Sequence, residues 1–267
     1  MKLSAADHQA LRSAGFTPLG PVFGNHVRRA AIGRLDCGPT VKPARTQEEA
    51  LTSAVDDALA RLRRMSQDAD GVIGIRVTEQ EVAGRATEVS VTGVAVRADG
   101  DVRPRMPFLT DLDGRDFAKL VHSGWVPCGL ALGIAAVAVH HLELPRSIGT
   151  TLANRELPLH SAVVRDVQQR AREHLRIDCK RQFADGVVLG QAAVRVREPH
   201  CWLNRIGPKD TTLRVEWPWS PPRQGERELH GRDLYAEAVF SATAIVRFGT
   251  PVAAPLTIMP LHEGGTG

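Results

Sequence analysis

GWVPCGLALGIAAVAVHH, residues 124–141, decides how this chain is read, because residues 15–33, GFTPLGPVFGNHVRRAAIG, look like a weaker copy of it. Both open with glycine, an aromatic residue, any residue, proline, any residue and glycine: Gly15-Phe16-Thr17-Pro18-Leu19-Gly20 and Gly124-Trp125-Val126-Pro127-Cys128-Gly129. A repeat is established by several blocks recurring in one order. Further along each half, a helical stretch runs into Ala69-Asp70-Gly71-Val72 or Ala184-Asp185-Gly186-Val187. Each half then closes on a strand-like segment ending in Val-Arg: EVSVTGVAVR, residues 88–97, and AVFSATAIVR, residues 238–247. Three blocks in register predict a duplication. The first module spans residues 1–104 and the second residues 105–267, with an insertion at about 198–233 in the second.

A length of 267 residues accommodates two small domains, and a hydrophobic content of 43% allows each to bury a core. The formal charge is +4, with both signs interspersed. The absence of a basic run or an aromatic-basic motif argues against nucleic acid as a partner. Cys37, Cys128, Cys179 and Cys201 are widely spaced and form no CxxC, which reads as reduced thiols in a cytoplasmic protein. Cys128 itself reads as a small buried residue of its strand. The first residues, MKLSAADHQALRSAG, lack the apolar stretch of a secretion signal. The longest apolar run, residues 129–139, is too short to cross a bilayer core of ~30 Å as a helix, so no membrane association is expected.

The local elements follow from periodicity. Residues 5–13 and 114–123 predict short helices, the second with Phe117, Leu120 and Val121 on one face, and the glycine after each suits a left-handed helix C-cap. Thr46-Gln47-Glu48-Glu49 reads as a capping box that starts a longer helix, on which Leu51, Val55, Ala58, Leu62 and Met65 form an apolar stripe. Val163, Val167, Ala171 and Leu175 predict its counterpart. Strands follow over residues 72–78 and 187–197, and residues 129–141 read as a strand buried on both faces. The insertion holds three of the four tryptophans; within it residues 211–217 suggest an extra strand and 218–228 an exposed loop. The tail beyond Phe248 reads as irregular.

The order strand, helix, strand, strand, with Asp70-Gly71-Val72-Ile73-Gly74-Ile75-Arg76 after the helix and residues 88–97 closing the unit, resembles the YbjQ-like family, also described as putative heavy-metal-binding domains. The second half resembles it at residues 184–187 and 237–247, with Leu189 looking like a one-residue insertion. The resemblance implies an α+β fold of two βαββ dodecin-like modules, each an antiparallel sheet packed on a helix. It also implies assembly into rings, commonly of five domains. Two modules per chain would then need either an even-numbered ring or two stacked rings. The repeat signature is Gly15, Pro18, Gly20, Asp70, Gly71, Gly124, Pro127, Gly129, Asp185 and Gly186.

The chemistry is sparser. A heavy metal, the one cofactor the family label brings in, needs thiolate and imidazole groups converging. The candidates are His140 beside His141, His174 with Cys179, and His200 with Cys201, but adjacent strand residues point to opposite faces, and a spacing of five on a helix chelates poorly. In the first half only His26 and Cys37 stand in comparable places. No GxSxG, HExxH, Walker loop or GxGxxG before a helix is present, and Asp70 and Asp185 read as turn residues. The expectation is a non-enzymatic homo-oligomer that acts as an assembly or scaffold. The alternative is an oligomer holding a metal or small ligand between subunits, with Trp202, Trp217, Trp219 or His140 at the site.

Overall fold

The computed structural model describes residues 3–29, 40–82, 86–100, 106–142, 158–197, 231–248 and 259–260. They form a mixed α+β fold. In chain order the elements are α1 (Ala5–Ser13), β1 (Phe16–Arg29), β2 (Lys42–Pro43), α2 (Arg45–Met65), β3 (Gly71–Val82), β4 (Ala86–Ala98), β5 (Phe108–Leu109), α3 (Gly114–His122), β6 (Trp125–Leu142), α4 (Pro158–Arg181), β7 (Gly186–Arg197), β8 (Gly231–Arg247) and β9 (Met259–Pro260). The first sheet has the order β1-β4-β3-β5 and the second β2-β6-β8-β7-β9. In each, the last long strand lies between the other two and pairs antiparallel with both.

The two sheets carry matching irregularities. The β1–β4 register slips between Pro18 and Gly20, and the β6–β8 register between Pro127 and Gly129, so Leu19 and Cys128 are each the extra residue of a bulge. Between the pairs Gly71–Val96 and Gln80–Glu88, β3 has one residue more than β4; between Gly186–Ile245 and Arg195–Glu237, β7 has one residue more than β8. Asp70 accepts from the Ala98 amide at 2.8 Å while its own amide donates to Val96 O; Asp185 does the same with Arg247 at 3.0 Å and Ile245 O. These carboxylates pin the start of one strand to the end of the next. Gly15 and Gly124, at φ of 76° and 78°, follow α1 and α3 in the left-handed conformation expected of them.

Each long helix lies close on its sheet. A Cβ on Gly24 would strike the Ala58 carbonyl, and one on Gly133 would strike the Ala171 carbonyl, so the two glycines set the same helix-to-strand approach. Ala54, Ala58 and Leu62 of α2 and Val163, Val167, Ala171, Leu175 and Cys179 of α4 are buried. As expected, β6 is buried on both faces over Ala131–Val139 apart from half-buried Leu132, with alternate residues facing α4.

The layers stack in one direction. On β1 and β3, Arg28, Val77 and Glu79 lie on the side that carries α2, and Leu130, Ile134 and Val239 of the second sheet join the same buried cluster as Leu51, Val55 and Leu59 of α2. The helix side of the first sheet therefore faces the helix-free side of the second. Short strands tie the halves together: β2 pairs with β6, and β5 runs parallel to β3.

Several sequence expectations change. The Thr46-Gln47-Glu48-Glu49 box does not cap α2, whose N-cap is Ala44 with no side-chain hydrogen bond. The reason is that residues 42–44 are held as a strand against β6, with Ala44 N donating to Ala136 O at 2.8 Å, so the helix begins earlier. Glu48 instead accepts from the Ala136 amide at 3.1 Å. A capping box forms at Ser4 and Asp7. Met65 is exposed, and the row ends on buried Ser66. Leu189 is not an insertion, because β3 and β7 hold the same number of residues opposite their partners. Cys128 is exposed rather than buried, being the bulged residue. The tail is not wholly irregular, since Met259 pairs with Val187 and Pro260 with Gly186.

Candidate functional site

The joint between the two halves concentrates the charged and polar groups that the fold buries. Glu237 stands in the middle of β8, on the helix-free side, opposite Arg195 of β7. Glu79 comes from β3 and Arg28 from β1. The side chains of Glu237, Glu79 and Arg28 are only 3%, 9% and 11% exposed. Arg28 Nη2 lies 3.4 Å from Glu237 Oε2 and 3.5 Å from Glu79 Oε2. Arg195 Nη1 reaches Glu79 Oε2 at 3.4 Å and its Nη2 donates to Glu79 O at 2.7 Å, while Arg197 Nη2 stands 3.4 Å from Glu237 Oε1. Tyr235, two residues along the strand and hence on the same face, donates its hydroxyl to Glu237 Oε2 at 3.0 Å.

Burial is the main force on these groups. It pushes the Glu79 carboxyl above the ordinary carboxylate range, the Glu237 carboxylate adds to the rise, and Arg195 and Arg28 oppose it. The Tyr235 phenol is likewise pushed up, by burial first and then by Glu237. Two carboxyl groups thus meet under three guanidinium groups, whose charges offset the repulsion between the acids.

A second polar centre lies further along the same joint. Asp111, between β5 and α3, is buried and accepts from Ser241 Oγ and Thr243 Oγ1, both at 2.7 Å. Thr110 Oγ1 lies 2.6 Å from Thr243 Oγ1. Burial raises the Asp111 carboxyl, and the two hydroxyls pull it back. Gly190, the extra residue where the β7 register slips, makes room for it, since a Cβ there would strike the carboxylate. Gln191 then serves the outer edge of β3, donating to Val77 O at 2.9 Å and accepting from Val77 N at 3.4 Å. Side chains of the second sheet in this way satisfy a strand edge of the first.

The side of the first sheet away from α2 carries α1 and α3 at one end, where Leu11, Phe117 and Leu120 pack with Val94 and Val96, and is open around Phe23 and Val27, where the second sheet is covered. On β1, Phe23 and Val27 are 56% and 57% exposed, and bulged Leu19 is exposed beside them. Matched through the bulges and the glycine pair, their counterparts on β6 are Leu132, half-buried, and Ala136, buried. The outer edges differ as well. On β6, Leu132 N donates to Asp178, Ala136 N to Glu48, and Ile134 O meets His174 Nδ1 at 2.6 Å. Among the described residues β1 has no strand on its outer side, and Arg61 Nη1 donates to Asn25 O at 2.7 Å.

The residues singled out from sequence scatter. His174 is engaged with Ile134 O and stands 3.8 Å from Glu48 Oε1; Cys179 is fully buried in the α4 core, its thiol pushed up to about 11 by burial and then by Asp178. Neither presents a metal ligand to the other. His140 sits on β6 opposite Asp233, and its side chain lies outside the described residues, as do His200, Cys201, Trp202, Trp217 and Trp219. Among the described residues no three His, Cys, Asp or Glu side chains are grouped to hold a metal ion. The repeat-signature residues fall at the bulges, helix ends and strand starts described above. Sequence reasoning missed Arg28, Glu79, Asp111 and Glu237. The available signal was Glu237 itself, a lone charge inside LYAEAVFSATAIV, residues 234–246, which has to find a partner when buried.

A shallow cleft of about 360 Å³ runs along the outer side of α2 beside Glu48, Glu49, Thr52, Ser53, Asp56 and Asp57. No helix of the described residues is long and apolar enough to cross a membrane. No protein-family model and no curated protein matches the chain.

Proposed function

We propose that the chain is a tandem pair of YbjQ-like, dodecin-like βαββ modules, bounded at residues 104 and 105, and that it acts as a non-enzymatic, ring-forming homo-oligomeric scaffold. The duplication is supported by the bulges at Leu19 and Cys128, the Gly24 and Gly133 contacts, and the Asp70 and Asp185 hooks, which recur at matching places. Self-assembly is carried by one observation: the helix-free face of the second sheet is buried by the first half of the chain, whereas the same face of the first sheet exposes Leu19, Phe23 and Val27 beside a strand edge. A contact in which the helix side of one unit meets the sheet side of the next is head-to-tail, and such contacts leave one complementary surface free at each end until a ring closes. The buried acids Glu79 and Glu237 serve this role by joining the halves, since each is engaged by an arginine of the other half.

Multi-angle light scattering on the purified chain at micromolar concentration tests the reading. A mass of two or more times 29.0 kDa, in whole multiples, is expected. A particle of one chain across the concentration range sinks it.

A further inference from the structure

We propose that α4 of a second copy seats on the helix-free face of the first sheet, around Phe23 and Val27, repeating between chains the joint that α2 makes with the second sheet inside one chain. This rests on the self-assembly reading and adds to it which surfaces meet. α2 buries two rows of side chains. One, Ala54, Ala58 and Leu62, faces its own sheet; the other, Leu51, Val55 and Leu59, is buried as well and shares a cluster with Leu130, Ile134 and Val239 of the second sheet. Superposing the halves through Ala58 and Ala171, the residues over the matching glycines, puts Val164, Gln168 and Arg172 of α4 where Leu51, Val55 and Leu59 stand on α2. None of these three is buried, and the first two are intermediate. On α4, then, the own-sheet row is buried, and none of the described residues buries the second row as the second sheet buries that of α2.

The receiving side changes in step. The counterparts of Leu130, Ile134 and Val239 are Pro21, Asn25 and Ser90, none of them buried, and the counterpart of Glu237 is Glu88, which accepts from Asn25 Nδ2 at 3.1 Å. On each partner two of the three apolar residues of the inner joint give way to polar ones, Asn25 and Ser90 on the sheet and Gln168 and Arg172 on α4, while Pro21 and Val164 stay apolar. Coordinated replacement of this kind matches the difference between a permanent core and a joint formed between chains, where polar groups face each other and a few apolar side chains anchor the centre. Phe23 and Val27 are those anchors, and Glu88 offers a carboxylate to the arginine-bearing row of α4. The ionic centre is not repeated, because Val137 and Val194 stand where Arg28 and Glu79 would be needed. The outer joint is therefore the weaker of the two.

The partner of opposite hand would be a face-to-face dimer, in which Phe23 and Val27 meet their own copies. Two surface variants separate the arrangements. F23R with V27R blocks the sheet face, and Q168E with R172E blocks α4; all four positions are off the cores, and circular dichroism checks that each variant keeps its fold, with V27K or R172A used if one does not. Seating of α4 predicts that each variant alone is a single chain by native mass spectrometry and that mixing them gives a one-to-one dimer through the surviving pair of surfaces. If the α4 variant assembles like wild type, or the mixture yields no dimer, the inference is overturned while self-assembly stands. A wild-type protein that is itself a single chain overturns both.

Discussion

Replacing Arg28 with methionine tests whether the ionic centre holds the two halves together. Methionine keeps most of the side-chain volume and removes the more buried of the two guanidiniums that reach both acids, Arg28 at 3.4 Å from Glu237 and 3.5 Å from Glu79, with Arg195 the other. Arg195 and Arg197 remain, but they are more exposed and water screens them. Two nearly buried carboxyl groups are then left facing each other without their buried counter-charge. Removing one partner of a buried ion pair in this way costs about 3–5 kcal/mol. For a chain of this size each kcal/mol lowers the midpoint of thermal unfolding by roughly 2–4 °C, so a fall of about 6–20 °C is expected. The control is Glu79→Gln in the Arg28→Met background: with one acid neutralised, much of the loss should return, giving a coupling of about 1–3 kcal/mol in the double-mutant cycle. Unfolding is followed by circular dichroism near neutral pH at fixed protein concentration, because assembly makes the midpoint concentration-dependent. A loss for Arg28→Met below about 1 kcal/mol, well under the buried-pair range, or strictly additive effects of the two changes, would refute the reasoning.

The same centre predicts a pH dependence. Glu79 has a raised carboxyl pKa in the folded chain, so the folded state holds that proton more tightly than the unfolded one. Its contribution to stability is complete below the unfolded value of about 4.3 and is lost as pH rises through the folded value. Glu79→Gln should flatten the fall in melting temperature over that window, and an unchanged slope would show that another group sets it. Gly24→Ala and Gly133→Ala should each destabilise by about 3 kcal/mol in denaturant titrations, because the new methyl meets helix backbone in both places; an effect at one glycine alone would count against equivalence of the two halves. Alkylation of the native protein followed by peptide mass spectrometry should modify Cys128 and spare Cys179 until denaturant is added. Equal labelling of the two would contradict the buried placement of Cys179.

Much of this architecture could be read from short-range patterns. Glycine and proline mark the bulges at Leu19 and Cys128, and the four-residue spacing of Val163, Val167, Ala171 and Leu175 names the core row of α4, because these signals act within a few residues of chain. What sets one half against the other is non-local. The capping box at Thr46 was overridden because strand pairing to β6 fixed the residues before α2, and no local propensity reports a contact with a strand ninety residues away. The polar centres escaped for the same reason: Arg28, Glu79, Asp111 and Glu237 are far apart in sequence and meet only when the helix side of one sheet faces the bare side of the other. A difference between β1 and β6 did carry the message. On the helix-free face β6 has Leu130, Leu132, Ile134 and Ala136, whereas β1 mixes Pro21, Phe23, Asn25 and Val27, which is the difference between a face buried within the chain and one left for a neighbour.

Native mass spectrometry of the wild-type protein at micromolar concentration bears most directly on whether the joint inside the chain is remade between chains. The account predicts one dominant species of several chains, its mass a whole multiple of 29.0 kDa, that falls to smaller species in F23R with V27R. A spectrum holding only the 29.0 kDa chain, or an assembly indifferent to those two substitutions, would contradict it.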